Sequence, residues 1–141
     1  MRPIAVGLMF AAAALIAQAA TPRTPSPAGA EVYFQSPADG ATVSNPITVR
    51  FGLKGMGVAP AGIKFDDTGH HHLLIDTEVP ANLDLPLPAN DKVVHFGKGQ
   101  TETTIELPPG KHTLQLVLGD MLHIPHDPPV ISKRITITVE P

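Results

Sequence analysis

Seven histidines lie between His70 and His126, and the chain contains no cysteine. A neutral imidazole offers a lone pair to a transition-metal ion, and it exchanges protons near physiological pH. Two groups of these side chains have a spacing that suits ligation. His70-His71-His72 stands in an extended context, so His70 and His72 project to one face and His71 to the other. His123-Ile124-Pro125-His126 sets two imidazoles three apart on a backbone stiffened by Pro125, Pro128 and Pro129, and a preorganised site loses less entropy on binding. Three or four neutral imidazoles suit Cu(II), Zn(II) or Ni(II), with copper first by intrinsic affinity and zinc the alternative. The expected metal ligands are His70, His72, His123 and His126. Met121 and Met56 are the only methionines after residue 20. A thioether is a soft ligand, so Met121 becomes a second-tier candidate and the choice tilts toward copper.

The other histidines have plainer roles. His112 opens a strand at the far end and is expected to be structural. His71 shares a face with Leu73 and Ile75, which suits core packing. His95 alternates with Val94 and Phe96 and is expected to face solvent; it joins the site, as a second-tier ligand, only if its short strand runs beside it. Asp66, Asp67, Asp76, Asp120 and Asp127 could orient imidazoles from behind or serve as turn residues. Catalysis has less support. Ser36, Ser44 and Ser132 sit in no G-x-S-x-G context, and no H-E-x-x-H occurs. A metal-dependent hydrolase would need an open coordination position beside the histidines. The expectation is a binding protein without enzymatic activity.

The elements that must position these residues read as short strands. Residues 46–53 place Ile47, Val49, Phe51 and Leu53 on one face, the period-2 pattern of a half-buried strand. Residues 31–35, 70–76, 92–96, 101–107, 111–118 and 131–139 are extended in the same way, and Pro108-Pro109-Gly110 reads as a hairpin turn. Pro80, Pro86 and Pro88 confine residues 80–90 to an edge. About seven strands with no helical stripe imply an all-β fold, an immunoglobulin-like or cupredoxin-like antiparallel sandwich. In such a sandwich the loops at 55–69 and 119–130 share one end, which would bring His70 and His72 to His123 and His126.

Residues 1–19 have the form of a signal peptide: a basic start at Arg2, an apolar run from 4 to 16, and the small-residue cleavage signal Ala17-Gln18-Ala19. The apolar run is shorter than the roughly 20 residues a spanning helix needs. Cleavage would leave a periplasmic or secreted protein with no membrane attachment. Residues 20–30 then form a Pro-rich linker, expected to be extended and mobile, and 31–141 the sandwich domain. Ten basic against 13 acidic side chains, a net charge of −3, remove the electrostatic warrant for nucleic-acid binding.

Four stretches carry a resemblance: FGLKGMGVAPAG (51–62), TGHHHLLID (68–76), HFGKGQTE (95–102) and PPGKHTLQLVLGDMLHIPHDPPVIS (108–132). On these the chain resembles the bacterial exported domain-of-unknown-function family numbered 4399, which implies a compact periplasmic domain and no assigned catalytic residue. At fold level it is also similar to periplasmic copper-carrier and cupredoxin-like sandwiches, which hold copper at one end with loop ligands. Without cysteine a blue-copper site cannot form, so electron transfer is set aside. The expectation is carriage, storage or resistance, with a periplasmic metal donor or acceptor protein as partner. The alternative is an envelope interaction module whose histidines are structural.

Overall fold

The computed structural model describes residues 22–141, so the expected signal peptide lies outside the described residues. Nine strands follow in order: β1 Glu31–Ser36, β2 Thr42–Val43, β3 Ile47–Lys54, β4 Gly57–Val58, β5 Thr68–Ile75, β6 Val93–His95, β7 Glu102–Ile105, β8 Gly110–Gly119 and β9 Ile135–Val139. The seven runs read from alternation are β1, β3 and β5 to β9. The two additions, β2 and β4, are two-residue parallel pairings, too short to leave a pattern.

The strands form two layers. One sheet has the order β1-β3-β7, and the other β2-β9-β8-β5-β4, with β6 also paired to β5. This is an all-β sandwich, and the division of strands between the sheets is that of an immunoglobulin-like fold. Alternation explains the core. Val32, Ile47, Val49 and Phe51 from the first sheet meet Leu73, Leu114, Leu116, Leu118, Ile135, Ile137 and Val139 from the second.

Residues 108–110 do not close a hairpin. β7 pairs with β3 in the first sheet, whereas β8 pairs with β5 and β9 in the second. The Pro-Pro-Gly segment instead carries the chain from one layer to the other. Turn chemistry is local and correctly marks a reversal; partner choice rests on which apolar face each strand must bury.

The second sheet is also covered on its outer face. Leu74, Val93 and Val117 pack there against Leu87. Residues 80–90 therefore do not pair along an edge as a strand. Their prolines remove ladder donors, and Leu87, 5% exposed, fastens the segment across the sheet. For this reason β5 is buried on both faces from Gly69 to Ile75, a situation usually met by continuous apolar strands. Here three histidines occupy three of its seven buried positions.

Candidate metal centre

Period-2 geometry separates the three consecutive histidines. His71 points into the sandwich core, where its ring centroid lies 5.0 Å from that of Phe51. His70 and His72 point to the outer face, and their ring centroids stand 4.5 Å apart. β5 pairs with β8 in the register His70↔Gly119 and His72↔Val117. The loop leaving β8 at Gly119 thus starts beside His70. The two long loops also meet as expected, since Gly62 N–H donates to the Met121 carbonyl at 3.0 Å.

Asp120 shapes that loop. Its Oδ1 accepts from the backbone N–H groups of Leu122 at 2.8 Å and Ile124 at 3.0 Å, and its carbonyl accepts from His123 N–H at 2.9 Å. The tight turn sets His123 at a φ of 65°, a left-handed conformation uncommon outside glycine. The His123 carbonyl accepts from Leu87 N–H at 2.8 Å, which ties the loop to the covering segment. The result aims the His123 ring back over β5.

Three ring nitrogens converge. His123 Nδ1 lies 2.9 Å from His70 Nε2 and 3.3 Å from His72 Nε2, and all three ligand atoms fall within 4.8 Å of one another. Imidazole nitrogens bind first-row metals at about 2.0–2.1 Å. Two such ligands are about 2.9 Å apart at a right angle and about 3.3–3.4 Å apart at a tetrahedral angle. The two separations from His123 Nδ1 match that range. Hydrogen bonding alone serves the arrangement poorly, because His123 Nδ1 has one in-plane lone pair for two facing nitrogens.

The electrostatics favour neutral rings. Burial first, then the charge that His123 and His95 would carry, lowers His70 to about 4. Burial and the neighbouring His70, His95 and His123 lower His72 to about 2. His123 is shifted down as well, by burial and then by His95. Near neutral pH these rings are neutral, so a metal would not have to discharge an imidazolium; each ring keeps one N–H, and its tautomer decides which nitrogen offers the lone pair. Asp120 acts in the opposite sense on His70 and His123, so a buried carboxylate adds negative potential beside the cluster.

The remaining candidates fall in other places. His126 does not join the three. It is fully buried, and its Nε2 faces the Thr68 carbonyl at 3.1 Å. A Cβ on Gly69 would stand 2.9 Å from its ring, on the face that also holds Leu118. His126 therefore packs on the core side of β5, opposite His70 and His72. His95 does run beside the site, because β6 pairs with β5 in the register His72↔His95. Its ring centroid lies 4.3 Å from that of His72 and 4.6 Å from that of His123. The His95 Nε2 faces the Pro88 carbonyl at 2.9 Å, which assigns the proton to that nitrogen. Met121 lines a small cavity with Ile63 and Phe65, and Met56 packs against the main core. Packing accounts for both thioethers. His112 is structural: its ring spans Asp76 Oδ2 and the Pro108 carbonyl, each at 2.7 Å.

One contributor, Gly119, escaped the reading of residue types. A Cβ on Gly119 would come within 2.4 Å of the His72 ring, so only glycine lets that ring lie over β8. Asp120, one of the aspartates expected to orient imidazoles from behind or to serve in turns, acts through the turn, since its Oδ1 holds the loop that aims His123.

The family model described as Domain of unknown function (DUF4399) matches residues 49–140. No curated protein and no solved structure matches the chain.

Proposed function

The chain belongs to the family described as Domain of unknown function (DUF4399), a description that assigns no activity, and from its own geometry we propose that it is an exported transition-metal-binding protein. One observation carries the reading: on three neutral imidazoles, His70 Nε2 and His72 Nε2 stand 2.9 and 3.3 Å from His123 Nδ1, separations that two ligands of one ion show, and all three lie within 4.8 Å of one another. Copper is the first choice and zinc the second, because an all-nitrogen set follows intrinsic affinity, which peaks at Cu(II). The task that suits the site is carriage, storage or resistance in the periplasm or outside the cell, with exchange to a donor or acceptor protein. His70 and His72 are fully buried, which suits holding an ion more than presenting it to a substrate.

The purified chain, dialysed against equal Cu(II) and Zn(II) and then analysed for bound metal, tests both levels. Copper retained in preference to zinc supports the proposal as stated. Zinc retained alone overturns the choice of copper, and retention of neither overturns the site.

A second reading, an envelope interaction module with structural histidines, draws on Ile63, Phe65 and Leu122, which are exposed apolar side chains on the same pair of loops. Binding to a protein partner undiminished by chelator would favour it.

A further inference from the structure

Two of the three proposed ligands stand on β5, held by strands on both sides. The third, His123, stands on a loop, so the geometry of the site depends on whatever fixes residues 119–127. Asp120 braces the loop from within. From outside, the brace is the Pro-rich segment expected to be a mobile linker. Pro25 forms a parallel bridge with Asp127. Asp127 N–H donates to the Thr24 carbonyl at 3.0 Å, and Ser26 N–H donates to the Asp127 carbonyl at 3.1 Å. Thr24 Oγ1 donates to Asp120 Oδ2 at 2.7 Å, orienting the carboxylate whose other oxygen holds the His123 turn.

Arg23 is the anchor. Its side chain is 16% exposed; Nε donates to the Pro125 carbonyl at 3.2 Å and Nη2 to the His126 carbonyl at 2.5 Å. Asp84 and Asp127 stand farther off, at 3.6 and 3.7 Å, and are exposed. Such exposed ion pairs contribute little, so the two carbonyl bonds of the charged guanidinium do most of the holding. Asp84 still matters for its place, because it belongs to the covering segment whose Leu87 N–H binds the His123 carbonyl. Arg23 thus touches both segments that fix His123 and none of the ligand nitrogens.

We infer that residues 23–26 are a strap that positions His123 for metal binding, with Arg23 and Thr24 as its positioning residues; the inference rests on the metal-binding reading above. Loss of a partner outside the ligand set typically weakens a metal site by about 10- to 100-fold. The strap predicts a loss of that size from substitutions in a segment that composition alone marks as a spacer.

The test compares the parent chain with Arg23→Gln and Thr24→Val. Cu(II) and Zn(II) affinities are measured against a competing chelator, Cu(II) spectra by electron paramagnetic resonance, and the fold by thermal melting without metal. Folded variants that bind about 10- to 100-fold more weakly, with altered copper hyperfine splitting, support the strap. Variants that keep parental affinity and spectrum overturn it, even if they melt earlier. A parent that binds neither metal overturns the reading on which the strap rests. If Arg23→Gln does not fold, Thr24→Val decides by the same two readouts.

Discussion

His70 Nε2 and His123 Nδ1 face each other at 2.9 Å across 53 residues of chain. The meeting depends on two pieces of geometry. The pairing of β5 with β8 sets His70 opposite Gly119, and the Asp120 turn then folds His123 back over that pair. Neither residue alone is unusual. Their convergence with His72, in a buried place that disfavours the imidazolium, gives three ordinary histidines an arrangement that could hold a metal ion.

Removing one ligand should separate the three from their neighbour. His123→Ala is expected to weaken Cu(II) binding by more than about 100-fold, beyond the loss that follows from an outer partner. His126→Ala is expected to keep parental affinity and to cost about 2 kcal/mol of stability through the cavity it leaves. Chelator competition and thermal melts measure the two effects. Equal losses of affinity from both variants would return His126 to the site.

Gly119→Ala tests the space over β8. The new Cβ would sit 2.4 Å from the His72 ring and 3.3 Å from the His123 Cα, so the ring must move. A cost of about 1–3 kcal/mol is expected from such overpacking, together with weaker metal binding. Parental affinity in this variant would show that the position of the His72 ring is immaterial.

The strands and the division of the β5 histidines were legible because both follow period-2 alternation, a local property. His126 was misplaced because H-x-x-H spacing says nothing of the path a loop takes; Pro125 is bridged to Gly119, and the next residue turns in over Gly69. The place of His95 depended on strand pairing, which is non-local, and so did the two sheets on either side of Pro108-Pro109-Gly110. Arg23 lay in a segment whose prolines correctly signal extension. Extension, however, does not reveal what an extended segment lies against.

His71 lies in the core, 1% exposed, with neither ring nitrogen hydrogen-bonded among the described residues. Its burial lowers it to about 4, so it is neutral and unsatisfied. An unpaired buried polar group costs about 1–3 kcal/mol. His71→Leu is therefore expected to raise stability by about 1–2 kcal/mol and to leave metal affinity unchanged, read by denaturant unfolding and chelator competition. A destabilised variant would indicate that the ring makes a polar contact not yet identified.

At the opposite end, His112 faces two acceptors, Asp76 and the Pro108 carbonyl, and only the imidazolium can donate to both. The Asp76 bond foremost raises His112 above its ordinary 6.5. Burial opposes ionisation of Asp76, but bonds from His112 and the Thr113 N–H outweigh it and hold the carboxyl below 3.8. The histidine's contribution is full below 6.5 and fades as pH rises through its folded value; the aspartate's is full above 3.8 and fades as pH falls through its own. The pair is thus strongest between about pH 4 and 6.5. His112→Gln should cost about 1–2 kcal/mol near pH 6 and progressively less in alkaline buffer. A cost independent of pH from 5 to about 9 in the unfolding curves would show that the pair is uncharged.

The most direct measurement is X-ray absorption of the copper-loaded chain, which counts imidazoles on the metal. Three at about 2.0 Å are expected for the parent and two for His123→Ala. A parent whose bound ion is surrounded by oxygen alone, or a count of imidazoles that His123→Ala leaves unchanged, would contradict a site built from His70, His72 and His123.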